Sequence, residues 1–83
     1  MDYSLKQDGF EFLVEAEKER VKEEILSSYI NLRKKKGITQ QQIAELTGMQ
    51  RTNIVRIESG RYSPTIEVLV KLAAALDMDL EIR

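Results

Sequence analysis

Gln40-Gln41-Gln42-Ile43-Ala44-Glu45-Leu46-Thr47-Gly48-Met49-Gln50-Arg51-Thr52-Asn53-Ile54-Val55-Arg56-Ile57 is the stretch that decides the fold. Two short apolar-periodic segments flank Gly48. Helices that cross steeply at a short turn need a small residue where their backbones approach, and Ala44 is placed for that. Gly48 supplies the turn, and Ile54 and Ile57 pack the second helix against the first. Reading outward, Gly37, Gly48 and Gly60 each close an apolar-periodic stretch, the position where a left-handed residue ends a helix.

The neighbouring helices follow from the same signals. The first is predicted to run to about Lys36, with Val21, Ile25, Tyr29 and Leu32 on one face. Its last turn, Arg33-Lys34-Lys35-Lys36, sets positive charge at the negative end of the helix dipole. Thr39 with Gln42 forms a capping box for the second helix, whose apolar positions are Ile43, Ala44 and Leu46. The third covers roughly Gln50 to Ser59. Thr65, or Ser63 with Pro64 at the first helical position, caps a fourth helix through about Leu76. Its inner face is read as Ile66, Leu69, Val70, Leu72, Ala73 and Leu76. Upstream, Phe10, Leu13, Val14, Glu17 and Val21 keep a helical period, so a helix from about Phe10 leads into the first or joins it. Asp77 to Arg83 alternates polar and apolar, the period of a strand.

Composition removes most chemistry. At 83 residues there is room for one small domain with a thin core. The chain has no Cys and no His. That excludes disulfide scaffolds and thiolate metal sites, and it removes the usual general base and the commonest metal ligand. No G-x-G-x-x-G and no Walker loop is present. Acidic runs such as Glu15-Ala16-Glu17-Lys18-Glu19-Arg20 read as a solvated helix face rather than an acid/base pair. Met49 and Met78 read as core positions, and the aromatic residues are too scattered for a single-strand stacking platform. Catalysis, metal and cofactor are not expected. No apolar run approaches a membrane span, and Met1-Asp2-Tyr3 opens no secretory signal, so a cytoplasmic protein is expected.

Charge is distributed unevenly. Residues 1–24 carry −4, residues 25–63 carry +5 and residues 64–83 carry −2, within a net charge of −1. A basic middle between acidic ends suits a polyanion-binding face with a separate partner-facing region. A solvated charged surface gives the same map.

Ala44, Gly48, Ile54 and Ile57 at these offsets resemble the helix-turn-helix of the phage-repressor (Cro and XRE) family. The resemblance extends from Leu32 to Ile38-Thr39-Gln40, and through Ile57-Glu58-Ser59-Gly60 to Ser63-Pro64-Thr65. A helical hairpin that binds no DNA would share the apolar spacing but not these polar positions. The resemblance implies an all-α, compact four- to five-helix lambda-repressor-like DNA-binding domain over residues 21–76. Residues 1–20 would be an acidic helical extension, and residues 77–83 a tail or short dimerisation strand.

The resemblance also assigns roles. With Ile54 and Ile57 inside, Thr52, Val55, Arg56 and Ser59 point outward on the third helix, and Arg51 lies in its first turn. Arg51, Thr52 and Arg56 would meet base edges, with Val55 near a thymine methyl. Gln40 and Gln50 open two helices, where free N–H groups favour phosphate, and Gln40 would also brace the recognition helix. Relatives more often have Ser or Thr at the position of Gln50. Arg61, Tyr62 and Ser63 would lie near neighbouring phosphates. Arg33 is expected to pair with Glu58 as a structural ion pair, which keeps a carboxylate on the recognition helix from repelling phosphate. The implied partners are double-stranded DNA with a palindromic operator and a second copy of the chain. The ends outside the motif look like HigA-type antitoxins, whose partner is a small RelE/HigB-like toxin. A solitary XRE-family repressor and a protein-binding module without DNA binding remain as alternatives.

Overall fold

A computed structural model describes residues 6–77. The described residues form four helices and no strand: α1 (Lys6–Lys35), α2 (Gln40–Thr47), α3 (Arg51–Glu58) and α4 (Ile66–Ala75). This is the expected all-α helix-turn-helix arrangement. The strand expected at 77–83, and Met78, Leu80 and Ile82 with it, lies outside the described residues save for Asp77.

Local chemistry sets each boundary. Thr39 has extended backbone and accepts a hydrogen bond from the Gln42 N–H at 3.0 Å, while the Gln42 side chain accepts from the Thr39 N–H at 2.8 Å. This reciprocal box satisfies two otherwise orphaned donors. α2 stops at Gly48, whose φ of 75° is left-handed and whose N–H donates to the Ala44 carbonyl. A side chain there would be strained by the backbone alone. Of the two caps read for α4, Thr65 is the one used: its hydroxyl accepts from the Val68 N–H at 3.2 Å. Pro64 precedes the helix and is buried.

α2 packs on α3, and α4 packs on both α1 and α2. Tyr29, Ile43, Ala44, Ile54, Ile57, Leu72 and Leu76 form the buried core, ringed by Leu26, Ile30, Leu32, Ile38, Met49, Val68 and Ala75. Three positions read as inward are in fact exposed: Leu46 at 64%, Ile66 at 50% and Val70 at 47%. Periodicity alone marks too wide a stripe, because a short helix touching a small core buries only a narrow arc of it. Lys36, read with Lys34 and Lys35 as a solvated helix end, instead donates from Nζ to the Leu76 carbonyl at 2.8 Å. It thereby ties the end of α1 to the end of α4.

α1 is one unbroken helix of 30 residues, about 45 Å long at 1.5 Å per residue. The helical period upstream of Val21 therefore joins the first helix rather than preceding it, and the boundary set between residues 20 and 21 falls inside a continuous helix. From Phe10 to Arg20 every side chain is exposed, Phe10, Phe12, Leu13 and Val14 included. Ion pairs one turn apart run along this half: Glu15–Lys18, Glu17–Arg20, Arg20–Glu24 and Glu19–Lys22. The Arg20 hydrogen bond holds the Glu17 carboxyl below its ordinary pKa.

Leu72 is fully buried at the centre of the core. Leu72→Ala should lower unfolding free energy by about 2–5 kcal/mol, whereas Leu46→Ala should change it by no more than about 0.5 kcal/mol. Urea denaturation of both variants checks the difference between two leucines that the sequence pattern treats alike.

Candidate nucleic-acid interface

α3 buries Ile54 and Ile57 and leaves Arg51, Thr52, Asn53, Val55 and Arg56 exposed. Asn53 lies outside the predicted set. Its amide carries both a donor and acceptors, and an outward position next to Thr52 is a signal the helical wheel contains. Gln50 caps α3 through its backbone only: its carbonyl accepts from the Asn53 and Ile54 N–H groups, and its side chain makes no capping bond. The first-turn N–H groups of Arg51 and Thr52 have no hydrogen-bond partner among the described residues. Such donors suit an anion at a helix start.

Gln40, Gln41, Arg51, Val55 and Ser59, with Lys34, line one shallow depression where α2 and α3 begin beside the last turns of α1. Two of the four predicted base-reading residues, Arg51 and Val55, thus share a concave surface with Gln40. Thr52 and Arg56 are exposed on α3 outside that lining. Arg61, Tyr62 and Ser63 lie in the exposed connection after Gly60, before α4.

Beneath the depression is the most constrained polar cluster of the described residues. Glu58 and Arg33 meet through two parallel hydrogen bonds, Nε to Oε2 at 2.9 Å and Nη2 to Oε1 at 2.6 Å. Both side chains are at least nine-tenths buried. Arg33 Nη1 also donates to the Ile38 carbonyl at 2.9 Å, the Tyr29 hydroxyl donates to Glu58 Oε2 at 3.0 Å, and Gln40 Nε2 donates to Glu58 Oε1 at 3.2 Å. No buried side-chain nitrogen or oxygen among the described residues lacks a partner. The planar guanidinium matches the carboxylate fork as an ammonium would not. The Gln40 amide has a second hydrogen beyond the one spent on Glu58, so one –NH₂ group can hold α3 and still face outward.

Pattern reading places Tyr29 in the core by spacing and gives its hydroxyl no role. A Tyr rather than Phe or Leu at an inward position was the available signal, since a buried phenol needs a partner. Burial first, and the nearby Glu58 carboxylate second, push the Tyr29 pKa well above its ordinary value.

Comparison with known proteins agrees with this geometry. Residues 30–82 match the model of a helix-turn-helix family. An uncharacterized HTH-type transcriptional regulator of Methanothermobacter thermautotrophicus is 43% identical over 44 residues, covering 53% of this chain and 64% of the relative. One from Haemophilus influenzae is 38% identical over 58 residues, covering 70% of this chain and 59% of the relative. The ImmF control region 10 kDa protein of Bacillus phage phi105 is 38% identical over 50 residues, covering 60% and 56%. The chain thus spans less than two thirds of the length of these curated relatives. No solved structure matches it significantly.

Two measurements test the cluster. Glu58→Ala leaves a buried guanidinium without its counter-charge and should cost about 3–5 kcal/mol of stability in denaturant melts. The raised phenol pKa favours the protonated side chain in the folded state. Its contribution is therefore complete below about pH 10, the range of a free phenol, and is lost as pH rises toward the higher native value. Between these limits the wild type should lose up to about 1.4 kcal/mol per pH unit from this group, a component absent from Tyr29→Phe. Parallel alkaline stability curves for the two proteins would contradict the assignment.

The packed α2–α3 unit around Gly48, the buried Arg33–Glu58 clamp and the match over residues 30–82 converge on one conclusion: the chain belongs to the XRE-type helix-turn-helix family.

Proposed function

We propose that this chain is a sequence-specific double-stranded DNA-binding transcriptional regulator, acting as a repressor with α3 in the major groove. The observation that carries this reading is the outward face of α3. Arg51 and Arg56 stand on a helix whose one acidic residue, Glu58, is turned inward and neutralised by Arg33. Arg51 and Arg56 would bond guanine O6 and N7, Thr52 would reach a base edge and Val55 would touch a thymine methyl. Gln40, Gln50, Arg61, Tyr62 and Ser63 would hold the phosphates that fix register. One short helix reads few bases, so two copies on a palindromic operator, with half-sites one turn apart, would supply specificity. The regulator names of the relatives favour the same reading.

A second reading concerns the arm. Phe10, Leu13 and Val14 are exposed on the half of α1 that precedes the family match, and Glu11 and Glu23 remain outside the ion pairs described there. An apolar face with surplus acid suits a basic protein partner, which favours an antitoxin that represses its own operon and binds a small RelE/HigB-like toxin. A small basic reading frame beside the gene, whose product binds the full chain but not a chain lacking residues 1–20, would support this. The absence of any such neighbour would leave a solitary repressor.

For DNA recognition the probe is a duplex selected by the wild-type protein from a random-sequence library. Arg51→Ala and Arg56→Ala should each weaken its binding by about 1–3 kcal/mol, with relaxed preference at one position of the half-site. Helical content should not change, because both side chains are exposed. Binding of both variants at wild-type strength would remove α3 from the groove.

A further inference from the structure

The basic run Arg33-Lys34-Lys35-Lys36 closes α1. Successive residues on a helix point about 100° apart, so neighbouring charges of the run face different surroundings. Arg33 turns inward, where Glu58 binds it. Lys36 reaches the Leu76 carbonyl. Lys34 lines the depression where α2 and α3 begin, and Lys35 does not. Among the described residues neither Lys34 nor Lys35 takes part in an ion pair.

The rest of the depression suits an anion. Arg51 enters it from α3 without an ion pair among the described residues, and Gln40 keeps one amide hydrogen beyond its bond to Glu58. Glu58 is the one carboxylate in the lining, and it is buried and held by Arg33, Tyr29 and Gln40. Glu45, one turn along α2, accepts from the Gln41 amide at 3.4 Å and stays out of the lining. The concave surface therefore presents two cationic side chains and no exposed carboxylate.

We propose that Lys34 is a DNA-backbone contact, its ammonium and the outward Gln40 amide hydrogen meeting one phosphodiester seated in this depression. The proposal rests on the regulator reading with α3 in the major groove. The depression lies beside α3, off the outer positions that carry Thr52 and Arg56. With those positions against base edges, the flank of α3 faces the strand that walls the groove, whose charged groups are phosphates. An ammonium is a compact point charge that meets a phosphate oxygen from many angles, whereas the planar fork of Arg51 fits the edge of guanine. Arg51 thus reads a base, and Lys34 with Gln40 holds the backbone beside it. Consecutive residues of α1 then orient α3 from beneath and fix its register on the strand.

The probe is the duplex selected by the wild type, with affinity followed over a range of KCl concentrations. Each phosphate neutralised contributes about 0.9 to the slope of log affinity against log salt, roughly eightfold in affinity at 0.1 M. Lys34→Gln should lose that much per bound chain, equally on selected and unrelated duplexes, and Lys34→Arg should retain it. Lys35→Gln removes the same charge one residue away and should leave the slope unchanged, since Lys35 adds to the field without meeting a phosphate. Both lysines are exposed, so the urea midpoints of all three variants should match the wild type. Equal slopes for Lys34→Gln and Lys35→Gln, or a relaxed preference at one base in place of a uniform loss, would overturn the contact and leave α3 in the groove. Exchanging chloride for inorganic phosphate at constant ionic strength should weaken wild type and Lys34→Gln alike. Competition by phosphate that disappears in Lys34→Gln would assign the seat to the free anion instead. A wild type that selects no duplex defeats the regulator reading, and this contact with it.

Discussion

The fold depends on one buried pair, Arg33 with Glu58. It joins α1 to α3 by two parallel hydrogen bonds and is further tied to Tyr29, Gln40 and the Ile38 carbonyl. An isolated charge at this depth would be prohibitive, so each member makes the other tolerable. Because every buried polar side-chain atom in the cluster has a defined partner, one rotation of α3 about its own axis satisfies them all. That rotation turns Ile54 and Ile57 inward and Arg51, Thr52 and Arg56 outward. Orientation of the exposed face is thus fixed from beneath, chiefly by Arg33, Tyr29 and Glu58, which need never touch a ligand.

The same cluster resolves an electrostatic conflict. α3, the helix proposed to approach a polyanion, carries a carboxylate in its last turn. The pairing converts that carboxylate from a repulsive charge into an anchor, and the positive field of Arg51, Arg56, Lys34 and Lys35 is left uncompensated on the outer surface. The acidic residues of the arm are held along α1, where bases one turn away neutralise several of them.

Much of this was legible in the sequence because it is written in short-range chemistry. Gly48, the Thr39–Gln42 box and the Ile54/Ile57 spacing act within a few residues, and each does in space what its neighbours in the chain imply. The pairing partners of Arg33 and Glu58 came from family likeness, since they lie 25 residues apart and no local rule connects them. The Tyr29 hydroxyl and the Lys36 link to Leu76 were not legible, because both depend on where a distant helix ends. Leu46, Ile66 and Val70 show the opposite failure. Their spacing is that of a core, but a domain this small has too little interior to cover every apolar position its helices offer.

The continuity of α1 has a mechanical consequence. The exposed arm and the residues that clamp α3, Tyr29 and Arg33, belong to a single helix with no proline, glycine or break between them. Such a rod bends only gently along its length, so a load applied near Phe10 acts through a lever of about 30 Å before it reaches the clamp. The arm has no hinge on which to swing independently. A body that seizes its tip applies torque at the pivot from which α3 is hung, so the arm and α3 are geared together.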